Sequence, residues 1–201
     1  MVSTMIAVSQ RVDSASHYPE TRDGLDQRWW PFFERANICP LILPNCLSLA
    51  QKILTQIAPD GILLTGGNSH ESCNGNAPER DQLDAWLIEL AIARNIPLLG
   101  VCRGMQSIQI EAGQILEPVD GQIQPSQAVL INGVWQEVNS FHSWGTYQSH
   151  AQLQVWATGA EGVVKAIRHE TRPIWGIMWH PERIEPYREA DITFFRQVFK
   201  T

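Results

Sequence analysis

No apolar run in this 201-residue chain approaches the ~18 residues that a membrane span needs. No basic cluster is longer than two residues, and 15 basic against 21 acidic side chains leave a net charge of −6. Neither a membrane nor a nucleic-acid polymer is therefore expected as a partner. The four cysteines, Cys39, Cys46, Cys73 and Cys102, form no C-x-x-C pair, which argues against zinc and thioredoxin chemistry. They read as reduced thiols of a cytoplasmic protein. His17, His70, His150 and His169 lack partners at ligand spacing, so no metal site is expected, and nothing calls for a cofactor. The start, MVSTMIAVSQRV, lacks a basic n-region and reads better as a first strand than as a signal peptide. There is no internal repeat, low-complexity tract or linker. At 44% hydrophobic residues, 1–201 is expected to be one globular domain.

The first half of the chain alternates short apolar runs with helical periodicity. Strands are expected at Met5–Ser9, Pro40–Leu43, Gly61–Leu64 and Pro97–Val101. Helices are expected at Leu25–Ala36, from an Asn45 cap to about Ile57, from Pro78 to an Asn95 stop, and over Gly104–Ala112. This βα alternation argues for a parallel sheet covered on both faces. The second half changes character. Val129–Ile131 and Val134–Val138 flank Asn132-Gly133, a strong hairpin signal. Leu153–Ala157, Val163–Arg168 and Ile174–Met178 read as further strands, and Glu189–Phe199 as a closing amphipathic helix. Trp29, Trp30, Phe32 and Phe33 read as core, and Arg22, Asp23 and Asp26 as an exposed helix face.

Cys102 carries the most specific signal. In Leu99-Gly100-Val101-Cys102-Arg103-Gly104-Met105-Gln106 a strand ends, a cysteine follows, and glycines stand two residues to either side. That is a nucleophile elbow with sulfur in place of a hydroxyl. A helix beginning there favours thiolate through its dipole and free N–H groups. Gln106 lies one helical turn on, facing either the same pocket or solvent. The Arg103 side chain reads as structural or solvent-facing, with only its N–H in use.

A second segment, Trp179-His180-Pro181-Glu182, ends a strand on a histidine and a carboxylate. If it stays extended, His180 and Glu182 point to one side, and Glu182 can orient the imidazole toward a nucleophile. In a third, Leu64-Thr65-Gly66-Gly67, two glycines let backbone N–H groups approach a ligand. No Gly-Lys-Ser/Thr follows, so this is not a phosphate loop. The N–H groups of Gly67 and Arg103 could together hold a tetrahedral oxyanion.

Together these motifs resemble the class I glutamine amidotransferase superfamily. Arg80-Asp81 and Val138-Asn139-Ser140-Phe141-His142 look most like its γ-glutamyl-γ-aminobutyrate hydrolase branch, peptidase family C26. The resemblance implies a three-layer α/β/α sandwich, flavodoxin-like, with a mostly parallel sheet and an added antiparallel hairpin region. It also implies cleavage of a γ-glutamyl amide in a small-molecule conjugate through a γ-glutamyl thioester, releasing glutamate and an amine or amidate. Gly66, Gln106 and the backbone around Ser140, Phe141 and His142 would hold the glutamyl head group. His142 has a second reading, as a cap of the turn after the hairpin strand. The loop Asn68–Asn76 departs from the branch's acidic, proline-bearing pattern. The stretch Tyr18–Trp30 is similar to a subgroup that releases a nucleoside diphosphoramidate during surface-polysaccharide decoration. The leaving half is expected to meet loop 68–76 and Arg22–Trp30.

Two alternatives compete with the free-standing hydrolase. One is a glutaminase subunit supplying ammonia to a separate synthase partner. The other is a redox-sensing protein of the same fold, which His180 and Glu182 argue against. Homo-oligomerisation is left open.

Overall fold

Residues 4–201 are described by the computed structural model; residues 1–3, the start of the segment weighed as a signal peptide, lie outside them. The first half runs β1 (Thr4–Val8), β2 (Arg11–Ser14), β3 (Thr21–Gly24), α1 (Trp29–Ala36), β4 (Ile38–Ile42), α2 (Leu47–Gln56), β5 (Gly61–Leu64), α3 (Pro78–Arg94), β6 (Leu98–Val101) and α4 (Arg103–Glu111). The second half runs β7 (Glu117–Pro118), β8 (Ile123–Ile131), β9 (Val134–Phe141), β10 (Trp144–Gly145), β11 (Leu153–Gly159), β12 (Val164–His169), β13 (Ile174–Ile177) and α5 (Glu189–Phe199).

The apolar runs become strands because both of their faces are covered. Every residue of β5 and β6 is buried, as a parallel sheet between two helical layers requires. Nine strands form one sheet in the order β4-β1-β5-β6-β13-β12-β11-β8-β9. The five from β4 to β13 are parallel. From β13 to β9 every pairing is antiparallel, so the expected hairpin region extends the main sheet.

The two faces carry separate cores. Trp29, Phe32 and Phe33 of α1 pack with Phe195 and Phe199 of α5 on one face. Leu54, Leu83, Leu87 and Ile108, from α2, α3 and α4, pack on the other. Phe32 and Phe195, both fully buried, meet edge to face at 4.8 Å. Truncating either ring would cost about 3–5 kcal/mol. The architecture is thus the three-layer α/β/α sandwich the motifs imply.

Turn chemistry behaves as the sequence suggests at two places. Asn95 closes α3 at φ 52°. Asn132 and Gly133 turn the β8–β9 hairpin at φ 48° and 82°. Elsewhere the expectation is corrected. The first helix starts at Trp29, not Leu25, because Arg11–Ser14 and Thr21–Gly24 pair as a separate hairpin. Arg22 and Asp23 therefore sit on β3, and Asp26 in the connection to α1, not on a helix face. Asn45 does not cap α2. Cys46 holds that position, while the Asn45 amide donates to Asp23 Oδ1 at 2.8 Å and to the Gln10 carbonyl at 3.2 Å. Among the described residues no helix is long and apolar enough to cross a membrane.

Candidate active site

The site lies where the parallel strands β1, β5, β6 and β13 end, the rim at which open α/β sheets gather their loops. β6 stops at Val101 and α4 starts at Arg103, so the whole reversal falls on Cys102. Its backbone sits at φ 53°, ψ −106°, a conformation that costs on the order of 1–3 kcal/mol. The flanking glycines are steric necessities. A Cβ on Gly100 would lie 2.4 Å from the Gly104 carbonyl carbon, and one on Gly104 would lie 2.2 Å from the Leu64 carbonyl oxygen. Cys102 thus stands at the head of α4, whose first amides have no acceptor within the helix.

His180 follows the end of β13, beside Cys102. Its Nδ1 lies 2.7 Å from Glu182 Oε1, and both side chains are buried. The segment is not extended, as the sequence reading assumed. Pro181–Arg183 form one 3-10 turn, because proline's fixed φ suits the first position of a helical turn as well as a strand. The turn still brings carboxylate and imidazole together. Asn139, which the sequence reading left without a role, brackets His180 from β9. Its amide donates to the His180 carbonyl at 2.8 Å, and its Oδ1 accepts from the His180 N–H at 2.7 Å.

The electrostatics favour charge separation. Burial pulls the His180 imidazole down, but the Cys102 sulfur and the Glu182 carboxylate outweigh it and raise it to about 9. Burial pushes the Cys102 thiol up, and the His180 charge and hydrogen bond overcome this, leaving it below the usual thiol range. A thiolate beside an imidazolium is the protonation state these shifts describe.

Thr65-Gly66-Gly67 faces this pair from the end of β5. A Cβ on Gly66 would lie 2.5 Å from His180 Cε1, so only glycine lets the ring rest against this backbone. Gly67 takes φ +135°. The loop is anchored by Arg80 of α3, which donates to the Gly66 carbonyl at 2.9 Å and to the Thr65 carbonyl. The same helix grips the elbow. The Arg103 guanidinium, far from solvent-facing, is buried and paired with Asp81 and Asp84. Burial lowers both to about 9, with repulsion from Arg11 adding to it at Arg80 and repulsion from Arg80 at Arg103. One turn of α3 therefore ties Gly67 and Arg103, the two residues expected to offer N–H groups, to one rigid body. Sequence reading saw Arg80-Asp81 only as a motif. An Arg–Asp pair four apart on a helix looks like surface until α4 covers it.

On the other side of Cys102 stands the β9 end and its turn. The Phe141 carbonyl meets the Cys102 sulfur at 3.9 Å. Gln106 is buried, not solvated, and its amide donates to the Trp144 carbonyl at 2.8 Å. His142 Nδ1–H donates to the same carbonyl at 2.9 Å, so the capping role is realised. The Ser140 hydroxyl donates to the Gln122 carbonyl at 2.7 Å. Lys165 of β12, missed by the sequence reading, is buried beneath them. Its Nζ lies 2.9 Å from Ser140 Oγ and 2.8 Å from His142 Nε2.

A cavity of about 250 Å³ opens on the far side of Gly66 and Gly67, lined by Arg11, Asp13, Asp26, Trp29, Glu182 and Arg183 among others. From the stretch 22–30, Leu25, Asp26 and Trp29 line it. Arg22 does not; its guanidinium is exposed and held by Glu20 and Tyr18. His70 and Glu71 do not line it either. Loop 68–76 instead packs back on the scaffold, with Asn68 bonded to Val12 and the Glu71 N–H donating to Asp81.

Comparison with known proteins places this geometry. A family model described as Peptidase C26 matches residues 4–182. A γ-glutamyl-CDP-amidate hydrolase of Campylobacter jejuni is 29% identical over 184 residues, covering 89% of this chain and 90% of that protein. A γ-glutamyl-γ-aminobutyrate hydrolase of Escherichia coli O157:H7 is 32% identical over 184 residues, covering 71% and 72%. The glutaminase domain of Trypanosoma brucei CTPS, solved with bound acivicin, superposes with a TM-score of 0.72 over 98% of this chain and 94% of that one, at 14% identity, a likeness of fold alone. With elbow, His-Pro-Glu turn and double-glycine loop gathered at one sheet end, the chain belongs to the peptidase C26 family and is a hydrolase acting on C–N bonds.

Proposed function

We propose that the protein hydrolyses γ-glutamyl amides by covalent catalysis at Cys102. The thiolate attacks the γ-carbonyl, and the tetrahedral oxyanion is held by the N–H groups of Gly67 and Arg103. The His180 imidazolium protonates the departing nitrogen, leaving a γ-glutamyl thioester and a neutral imidazole. That imidazole then takes a proton from water, which cleaves the thioester and releases glutamate. Glu182 holds the ring in place and supports its positive charge. The observation that carries this reading is the strained elbow that puts Cys102 beside the buried His180–Glu182 pair.

The leaving half is an amidate on a nucleoside diphosphate. Two observations support this choice. The Campylobacter match runs over nearly the whole of both chains, whereas the Escherichia match spans under three quarters of each. The cavity beyond Gly67 also presents two guanidinium groups, Arg11 and Arg183. The test is glutamate release from a panel of γ-glutamyl conjugates: simple amines, glutamine, polyamines and a nucleoside diphosphoramidate. The last should be cleaved with the highest kcat/KM, and acid-quenched enzyme should carry a glutamyl adduct on the peptide containing Cys102. Preference for glutamine would overturn the substrate assignment. An adduct elsewhere would overturn the mechanism.

A further inference from the structure

Lys165 is a buried cation for which the reaction just described has no use. Its partners, Ser140 Oγ and His142 Nε2, are both neutral. His142 Nδ1 carries its proton toward the Trp144 carbonyl, so Nε2 is the acceptor for Lys165. Burial and the neighbouring lysine hold this imidazole down at about 3, which keeps it uncharged. Two of the three ammonium N–H groups are thereby used. Among the described residues no carboxylate pairs with Lys165. Burial pulls the Lys165 ammonium down to about 8, and the charge that works against this is that of Cys102. A buried charge with no directly bonded counter-ion is costly, and a Met of similar length would avoid that cost.

The position of Lys165 says what the charge faces. Ser140 and His142 flank Phe141, and the Phe141 carbonyl touches the Cys102 sulfur. The ammonium is therefore held under the stretch of β9 that lies against the nucleophile. Gln106 closes the same wall through the Trp144 carbonyl. At 1% exposure Lys165 is as deep as His180, at 2%, and slightly deeper than Cys102, at 6%. It shares the depth of the site. Cys102 already has His180 as counter-charge. Arg11, Asp13, Asp26, Glu182 and Arg183 all line the cavity on the side of Gly66 and Gly67. Among the described residues bonded together on this wall, Gln106, Ser140, His142 and Lys165, only Lys165 carries a formal charge.

We propose that Lys165 is the counter-ion for the α-carboxylate of the γ-glutamyl group, and so the residue that makes the enzyme require an amino acid on the acyl side. This rests on the γ-glutamyl reading above. The carboxylate accepts the third N–H of Lys165, and the α-ammonium meets the carbonyls of the turn at 141–144.

Three p-nitroanilides separate this role from others: γ-L-glutamyl, glutaryl (carboxylate kept, amine absent) and 4-aminobutanoyl (amine kept, carboxylate absent). Acylation is followed by single-turnover release of nitroaniline. Lys165→Met should slow the first two by about 30-fold or more, as expected for loss of a buried charged partner, and leave the third within about 2-fold. Lys165→Arg should recover part of the loss. Iodoacetamide should alkylate Cys102 at the wild-type rate in both variants. An equal loss on all three substrates, slower alkylation, or selective loss on the 4-aminobutanoyl compound would overturn the assignment. Wild-type enzyme that cleaves no γ-glutamyl conjugate would instead overturn the γ-glutamyl reading, and this assignment with it.

Discussion

The two walls of the cleft use charge in opposite ways. On the wall of Gln106, Ser140, His142 and Lys165, every polar side chain is buried and bonded to a neighbour. On the wall of Arg11, Asp13, Asp26 and Arg183, charges are plentiful and partly solvated; the Arg11 and Asp13 side chains are 45% and 49% exposed. Ion pairs of that kind contribute at most about 1 kcal/mol. They can exchange partners when a ligand arrives. A buried network bonded to its neighbours, with the third N–H of Lys165 left open, cannot. The comparison assigns fixed recognition to the acyl half of the substrate and adjustable recognition to the leaving half.

The sharpest challenge falls between the walls. Cys102→Ala should lower kcat by at least about 1000-fold on every conjugate, and His180→Ala by about 100- to 10,000-fold. Circular dichroism should show both folds intact. Retained turnover in Cys102→Ala would remove the nucleophile from the scheme. Labelling controls belong in a Cys46→Ser background. Cys46 is exposed, and the Ser48 hydroxyl lowers its thiol.

Glu182→Gln should cost less than His180→Ala and should also change the pH profile. His180, held up to about 9, must be protonated to release the amine, so kcat/KM should fall above that pH in the wild type. Removing the Glu182 charge withdraws one of the interactions that keep the proton on. The alkaline limb should then move to lower pH. An unmoved limb, with activity lost, would mean that Glu182 acts on substrate directly.

The α3 anchor comes next. Arg80→Met should reduce kcat by about 100-fold, comparable to losing one oxyanion donor, with KM little changed. Assays must run well below the variant's unfolding temperature, since Asp84 would lose a buried partner at 3.8 Å. A rise in KM with kcat preserved would place Arg80 in binding.

The smallest effects test the walls themselves. Gln106→Ala should weaken unlike γ-glutamyl conjugates by a common factor. Arg11→Ala and Arg183→Ala should reorder them, by up to about 5-fold each. The reverse pattern would exchange the two half-sites.

The contrast between the walls also marks what could be read from residues alone. The elbow, the His-Pro-Glu segment and the double glycine were legible because each depends on neighbours in sequence. So were Asn95 and Asn132-Gly133, where a positive φ selects the residue. The β2–β3 hairpin was not. Its strands, RVDS and TRDG, are mostly exposed and show no apolar alternation. Lys165 was hidden for the converse reason. It interrupts Val163-Val164-Lys165-Ala166-Ile167, which reads as an ordinary strand until β9 closes over it. The Arg80–Asp84–Arg103 cluster depends on α3 packing against α4, a contact that no local spacing announces.

The link between Asp81 and two different segments has a consequence for anyone diversifying this enzyme. One carboxylate accepts from the Glu71 N–H and also holds Arg103. Randomising residues 68–76 would therefore disturb the elbow, and selected clones would trade rate for scope. Among the described residues the β2–β3 hairpin makes no ion pair with Arg103, and it is hydrogen-bonded to the loop after Gly67 only through the Val12–Asn68 bonds. Libraries built at Arg11 and Asp13 of the hairpin, and at Asp26 in the connection to α1, should yield new leaving-group preferences at near-parental turnover, which makes the segment from β2 to that connection the one for laboratory evolution to explore first.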